Sequence, residues 1–454
     1  MIFLMTTAPP EHSPWSVPMR LPPLGLSYVA AALEKAGFKV EMLDNYLLRK
    51  SIDEVKEIVK RASPEIVGMT CSSASYPRCV ETAKAIKEVL PSCKIVVGGW
   101  HPSYVPESML QHPEIDYVVV GEGERAMVEL ATCLTKGDEK AAAQVAGVAY
   151  RHKGKIVQNA QSFIKNLDEL PFPARHLLPM HLYEKEIPYL KAKSFTTMNI
   201  VRGCPFNCIY CETRRLWGQT CRGFSPPRVV DEIMHLKETY GIKGIYFVGD
   251  NFTINKKRTM ELCELIKTSK LDVEWVCDTR ADMISRELLQ AMKEAGCRTI
   301  WFGVESGSPR ILEKINKGIT IEQTVQAFKL CREAGIRIAS SFIMGIPGET
   351  LEDIEMTYKF AKKLDPDWAQ FNVYIAVPGS GLYDEVMQKG LYDRKEGFLA
   401  YVKTDEFNYD SLLTIQKRYQ ADMDLSPRRI LRKMRREGFW TVMKKAPRYL
   451  RRFL

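Results

Sequence analysis

The chain has 454 residues, 45% hydrophobic and 26% charged, with a formal net charge of +10. That is the composition of a folded globular protein too long for one ordinary domain, so two or three domains are expected. There is no run of 18 apolar residues to cross a membrane, and the opening MIFLMTTAPP reads as a first buried strand rather than a signal peptide.

Residues 1–150 alternate short apolar runs with helical patterns. Strands are expected at Ile2–Thr6, Lys39–Leu43, Ile66–Cys71, Ile95–Gly98 and Tyr117–Val120. LGLSYVAAALEKAG, SIDEVKEIVKRA and CVETAKAIKEVL between them carry a period of 3.6. Strands separated by helices predict a doubly wound parallel sheet, whose ligands sit beyond the carboxyl ends of the strands. The loops there are Ser72–Ser75, Gly98–Glu107 and Gly121–Glu124. A linker is expected over 151–194, where NLDELPFPARHLLP is rich in proline and has no clean period.

A second alternation fills 195–385, with strands expected at Thr196–Val201, Gly244–Val248, Val273–Cys277, Thr299–Val304, Ile338–Ile343 and Ala369–Tyr374. Six strand–helix units predict a partial parallel (β/α)6 barrel with its site at the strand carboxyl ends. VRGCPFNCIYCET follows the first of these strands and holds Cys204, Cys208 and Cys211 in a C-x3-C-x2-C spacing. One reading is a zinc site completed by Cys221, in a binding module without catalysis, although zinc sites usually bring their ligands as two separated pairs. The other is an iron–sulfur cluster, in which three thiolates leave one iron open. The remaining cysteines sit singly in apolar surroundings, as buried thiols of a reducing, cytoplasmic compartment do.

From Ser426 to Leu454 there are eleven Lys or Arg against the single acid Glu437, so this tail carries ten net positive charges and the rest of the chain is close to neutral. Residues 386–454 are expected to be a basic helical region. Ile430, Leu431 and Met434 share a helical face, and Phe439, Trp440, Val442 and Met443 continue the apolar content. The tail is expected to cap the barrel; a peripheral helix on an anionic membrane is the second reading. Nucleic acid is not expected, since charge alone points to it and no motif does.

The order strand, C-x3-C-x-aromatic-C loop, then strand–helix units resembles the radical S-adenosylmethionine superfamily over about 195–380. In VGDNFT, Asp250 and Asn251 stand where the superfamily has a Gly-Glu stretch contacting the amino end of S-adenosylmethionine; backbone carbonyls can serve there. CDTRAD, FGVESG and FIMGIPGET match its later strand ends. The resemblance implies that Cys204, Cys208 and Cys211 bind three irons of a [4Fe–4S] cluster, with S-adenosylmethionine on the fourth. One electron then yields a 5′-deoxyadenosyl radical that removes hydrogen from an unactivated carbon. It also implies polar contacts to the nucleoside or amino-acid part from Arg280 and Glu305, with Ser306 beside them, and an adenine cradle at Gly345 and Pro347.

The first domain is similar to the cobalamin-binding domain of class B members. The similarity rests on PPLGLSYVAAALEKAGF, which contains Leu24 and Gly25, on GGWHPSYVPE, and on DYVVVGEGE, which contains Gly121 and Glu122. The signature D-x-H-x-x-G, which places a histidine on cobalt, is absent, so cobalamin is expected without a protein imidazole. His101 is expected to make a turn or phosphate-side contact. Ser72, Ser73, Gly98 and Gly99 are expected where the corrin tail approaches the backbone, or else are tight turns of the sheet. The resemblance implies a methyltransferase using methylcobalamin, with a radical cyclase, oxidase or rearrangement enzyme as the alternative. A small-molecule, lipid or peptide substrate and an electron donor such as flavodoxin or ferredoxin follow from it.

Overall fold

The computed structural model describes residues 1–8 and 20–437. In the first sheet the strands are β1 (Ile2–Thr6), β2 (Val40–Leu43), β3 (Ile66–Thr70), β4 (Lys94–Gly98), β5 (Tyr117–Val119), β6 (Val148–His152) and β7 (Lys155–Gln158). They lie in the order β2-β1-β3-β4-β5-β6-β7, the first five parallel. β1 is buried at all five positions because helices cover both faces. Helix Ile52–Ala62 starts in a capping box between Ser51 and Glu54. The strand order reverses between β1 and β3, which places the ligand crevice beyond their carboxyl ends.

The antiparallel pair β6–β7 was not expected, and it carries the first sheet past residue 150 to Gln158. Lys153 and Gly154 both have positive φ, the backbone of a tight hairpin turn. The outer strand is four residues long and mostly exposed, with only Ile156 and Val157 apolar, so it lacks the apolar run that marks a core strand.

The segment that follows is not a loose linker. It makes three single-turn 3-10 helices, and Arg175 is buried on the second sheet, donating to Glu232 (2.9 Å) and to the Thr197 carbonyl (3.0 Å).

The second sheet opens with β8 (Phe195–Asn199). A short pair, β9 (Val201–Arg202) and β10 (Arg222–Gly223), follows, and then β11 (Gly244–Val248), β12 (Glu274–Thr279), β13 (Cys297–Glu305), β14 (Arg337–Met344) and β15 (Trp368–Val373). The order β15-β14-β13-β12-β11-β8, parallel throughout, is the six-stranded partial barrel. Tyr189 plugs its amino end, edge-on to Trp301 (5.0 Å) and Trp368 (5.2 Å), which leaves the carboxyl ends as the open mouth.

The C-terminal region is not purely helical. β16 (Ile375–Ala376), β17 (Tyr392–Glu396) and β18 (Leu399–Val402) form a three-stranded sheet among helices Gly381–Lys389, Tyr409–Asp424 and Pro427–Glu437. Arg429 of the last helix is buried against the barrel, donating to the carbonyls of Pro366 (2.7 Å) and Met423 (3.3 Å), and Arg432 pairs with Asp367. The described part of the tail is therefore docked; Phe439, Trp440, Val442 and Met443 lie outside the described residues. Among the described residues, no helix is long and apolar enough to cross a membrane.

Candidate active site

The three thiols lie in one loop whose base is pinned by the β9–β10 pair, in which Arg202 faces Arg222. Gly203 enters the loop at φ +90°, and a Cβ there would stand 2.4 Å from the Thr220 carbonyl oxygen, so only glycine fits. Asp250 braces the loop at both ends: its carboxylate accepts from the Gly203 backbone N–H and from the Thr213 hydroxyl, each at 2.9 Å. Cys204, Cys208 and Cys211 are free thiols and line one cleft of about 430 Å³ with Asp250, Arg280 and Lys317. Among the described residues, no three His, Cys, Asp or Glu side chains are already set around a point as metal ligands. Burial pushes the Cys204 thiol up to about 11, with Asp250 and the other two thiols adding to it, and burial also raises Cys211. The cations of this cleft, Arg280 and Lys317, are already paired with Asp282 and Glu305, so the three thiols form a soft donor set of the kind that suits a positively charged cluster, whose charge lowers thiol pKa values. Cys221 belongs to the base of the loop, next to β10, and does not line the cleft.

Tyr210, the aromatic of the motif, hydrogen-bonds through its hydroxyl to Glu305 (2.9 Å), and Lys317 Nζ reaches both that hydroxyl and Glu305 at 3.0 Å. Glu305 sits at φ +66°, a left-handed conformation that costs about 1 kcal/mol or more for a non-glycine residue and concentrates at functional positions. Arg280 is held bidentately by Asp282 and lies 3.6 Å over the ring of Phe206 in the cysteine loop. Asn251 is buried, its side-chain oxygen accepting from Thr279 (2.8 Å), while its amide nitrogen has no partner, an orphaned donor of the sort a ligand satisfies. Gly345 (φ +91°) and Ile346 donate their N–H groups to buried Glu349, whose carboxyl burial pushes up to about 8. This capped turn holds Pro347. Ser306 turns away, bonded to Thr357 (3.0 Å) and to the Ser308 N–H, so it supports the turn rather than facing the cleft.

At the first sheet's carboxyl edge, Gly25 opens helix Leu24–Lys35 with free space where a Cβ would be. Trp100 is 58% exposed there. Thr7 donates to the Thr70 carbonyl (2.8 Å) and to Ser75 (3.1 Å), and Ser72 bonds within the same turn. Small side chains and backbone turns thus line the carboxyl ends of β1 and β3 among the described residues, the edge at which a doubly wound sheet binds its ligand. Gly98 and Gly99 serve the turn itself: a Cβ on Gly99 would stand 2.7 Å from Thr70 Oγ1.

His101, Ser73 and Glu122 are, like Ser306, engaged within the protein rather than set toward a ligand. His101 is fully buried, its ring nitrogens bonded to Ser73 Oγ (3.0 Å) and Ser108 Oγ (2.9 Å) and its faces covered by Tyr76 and Phe398, which also occupies Ser73. Burial lowers its pKa to about 4, so it is a neutral packing residue. Glu122, beyond Gly121 (φ +81°), is buried against the second domain and accepts from Arg222 (2.7 Å) and the Ile164 N–H (2.7 Å). Lys317, Glu349 and Phe206 carried no sequence signal as site residues, because their relevance depends on which strand ends meet.

A model of the radical SAM superfamily matches residues 198–361, and one of the B12 binding domain matches 16–131. An uncharacterized methyltransferase of Pyrococcus horikoshii is 39% identical over 82% of this chain and 79% of its own length. An anaerobic magnesium-protoporphyrin IX monomethyl ester cyclase of Rubrivivax gelatinosus is 33% identical over 81% of this chain and 67% of its own. Among solved structures, the radical S-adenosylmethionine methyltransferase TsrM of Kitasatospora setae, with cobalamin and a [4Fe–4S] cluster bound, superposes with a TM-score of 0.70 at 20% identity, over 87% of this chain and 76% of that one, a likeness of fold. With both domains matched and a relative aligned through most of each chain, the protein belongs to the class B, cobalamin-binding radical S-adenosylmethionine enzymes, whose cofactors are a [4Fe–4S] cluster, S-adenosylmethionine and cobalamin.

Proposed function

We propose that this enzyme is a cobalamin-dependent radical methyltransferase that methylates an unactivated carbon of a small organic substrate. The observation that carries the reading is the 39% identity to a methyltransferase along most of both chains. The alternative, a radical cyclase or oxidase without methyl transfer, is favoured by more distant cyclase relatives, at 28–33% identity.

In this reading Cys204, Cys208 and Cys211 would hold the cluster, and the carboxyl edge of β1 and β3, with Leu24, Gly25 and Ser72, would hold cobalamin. When bound, the cofactors supply one-electron cleavage of a sulfonium bond, hydrogen abstraction from carbon, and a methyl group for transfer. The chain's own residues set the geometry. Asp250 fixes both ends of the cysteine loop. Glu305 and Lys317 clamp Tyr210, so the loop cannot roll away from the strand ends. Arg280, stacked on Phe206, closes one wall of the cleft against water. Buried Asn251 and the Gly345–Glu349 turn, capped by buried Glu349, stiffen the strand ends behind the cysteine loop. The electron comes from a small donor protein such as flavodoxin or ferredoxin, in the cytoplasm, and any membrane contact resides in the tail beyond residue 437.

Incubating the anaerobically reconstituted enzyme with methyl-labelled S-adenosylmethionine and extracts of a deletion strain tests this. S-adenosylhomocysteine and 5′-deoxyadenosine should form together, with label in a new product. Formation of 5′-deoxyadenosine with no labelled product and no S-adenosylhomocysteine points to the cyclase alternative.

A further inference from the structure

The loop after β5 of the first domain and the base of the cysteine loop in the second share one buried ion network. Glu122 Oε1 accepts from Arg222 Nη1 at 2.7 Å and lies 3.4 Å from Arg202 Nη1; Glu124 Oε1 accepts from Arg202 Nη2 at 2.5 Å. All four side chains are at least nine-tenths buried. Glu122 Oε2 also takes the Ile164 N–H, and Arg222 donates to the Ile164 and Trp217 carbonyls. The Arg202 guanidinium is flanked by the rings of Tyr28 (5.3 Å), from the first domain, and Trp217 (5.0 Å), from the cysteine loop's own helix.

The two arginines are partners in the β9–β10 ladder. Arg202 stands two residues before Cys204, and Arg222 directly follows Cys221. Both carboxylates come from GEGE, whose Gly121 N–H is tied to Ser103 at the carboxyl edge of the first sheet. Two acids and two guanidinium groups balance in charge. Apolar residues of similar volume fill such a space at no greater cost, so a buried network of this kind is better explained by the geometry it fixes than by stability.

We infer that Glu122 and Glu124 are positioning residues that fix the cysteine loop against the cobalamin-binding domain, setting the separation between the cluster and the cobalt. This rests on the proposed assignment of both cofactor sites.

The test compares wild type with Glu122→Gln, Glu124→Gln and, as a matched control, Glu232→Gln, which weakens a buried carboxylate that pairs with Arg175 and Arg228 and not with Arg202 or Arg222. In the holoenzyme, with Co(II) and a reduced cluster, pulsed electron paramagnetic resonance reads the distance between the two centres. Wild type should give one narrow distribution, Glu124→Gln and Glu122→Gln a shifted or broadened one, and Glu232→Gln the wild-type one. Hydrogen exchange of the cofactor-free protein covers a variant that loads poorly. Amides of residues 203–213 should exchange faster by on the order of tenfold or more, with β3 and β13 unchanged. Unaltered distances and unaltered loop exchange in both variants overturn the inference alone, as does equal loosening in Glu232→Gln. A wild-type protein that holds either centre but never both overturns the proposed sites, and the inference with them.

Discussion

Lys317 Nζ lies 3.0 Å from Glu305 Oε1, both side chains less than a tenth exposed, at the end of β13 where the chain takes a left-handed turn. Removing one partner of a buried pair leaves an uncompensated charge. Lys317→Ala should therefore lower stability by about 3 kcal/mol or more, while Lys317→Met combined with Glu305→Gln should recover most of that loss. Denaturant titration of all three proteins checks it; equal loss in the single and double variants shows that the pair contributes by packing alone.

Asp250 receives two hydrogen bonds on a charged acceptor, each contributing on the order of 1.5–3 kcal/mol to the order of the loop. Asp250→Ala should reconstitute with much less iron and sulfide per chain than wild type, and Thr213→Ala with slightly less. Colorimetric iron and sulfide analysis reads the difference.

Cys221 packs at the base of the loop and does not line the cleft. Cys221→Ala should keep the visible absorption of the cluster after reconstitution, whereas Cys204→Ala, Cys208→Ala and Cys211→Ala should each lose it. A cluster lost from Cys221→Ala would make that residue a fourth ligand.

His101 titrates near 4 when folded, against about 6.5 when unfolded, because burial disfavours the imidazolium. The folded state thus binds fewer protons across that window, so stability rises with pH from 4 to 6.5 and is lost on acidification. The full difference corresponds to about 3 kcal/mol. His101→Gln should show a flatter profile than wild type between those limits, measured as denaturation midpoints at matched ionic strength.

Arg429 anchors the last described helix through two carbonyls and Asp365. Arg429→Ala should lower the unfolding midpoint and open the chain near Leu425 to protease. Salt-dependent binding of the full chain to anionic vesicles, lost on removing 438–454, would assign the distal tail to a membrane.

The parallel strands of both sheets are legible because central parallel strands are runs of apolar residues, and the cysteine spacing is legible because all three thiols come from one short loop. β7 and β17 are not: their side chains are largely exposed, so nothing in their hydropathy separates them from loops. Asp250 and Arg280 were singled out as candidate contacts, yet their partners, Gly203 and Phe206, follow only from the meeting of distant strand ends. Of the two contacts expected for His101, the structure shows the one to a turn, through Ser73. A histidine after a strand of a doubly wound sheet has the same sequence signature whether it faces a ligand or two serines, and only the packing of Phe398, almost 300 residues away, decides.

Trp100 is the one described tryptophan that water reaches freely, while Trp275 is wholly enclosed. Its indole should therefore dominate the long-wavelength side of the intrinsic emission. Corrin rings absorb in that region, so cobalamin bound at the carboxyl edge of the first sheet, where Trp100 follows β4, should darken this emission in proportion to occupancy. Trp100 would then serve as an optical gauge of cobalamin loading, and Trp100→Phe should silence the gauge without emptying the site.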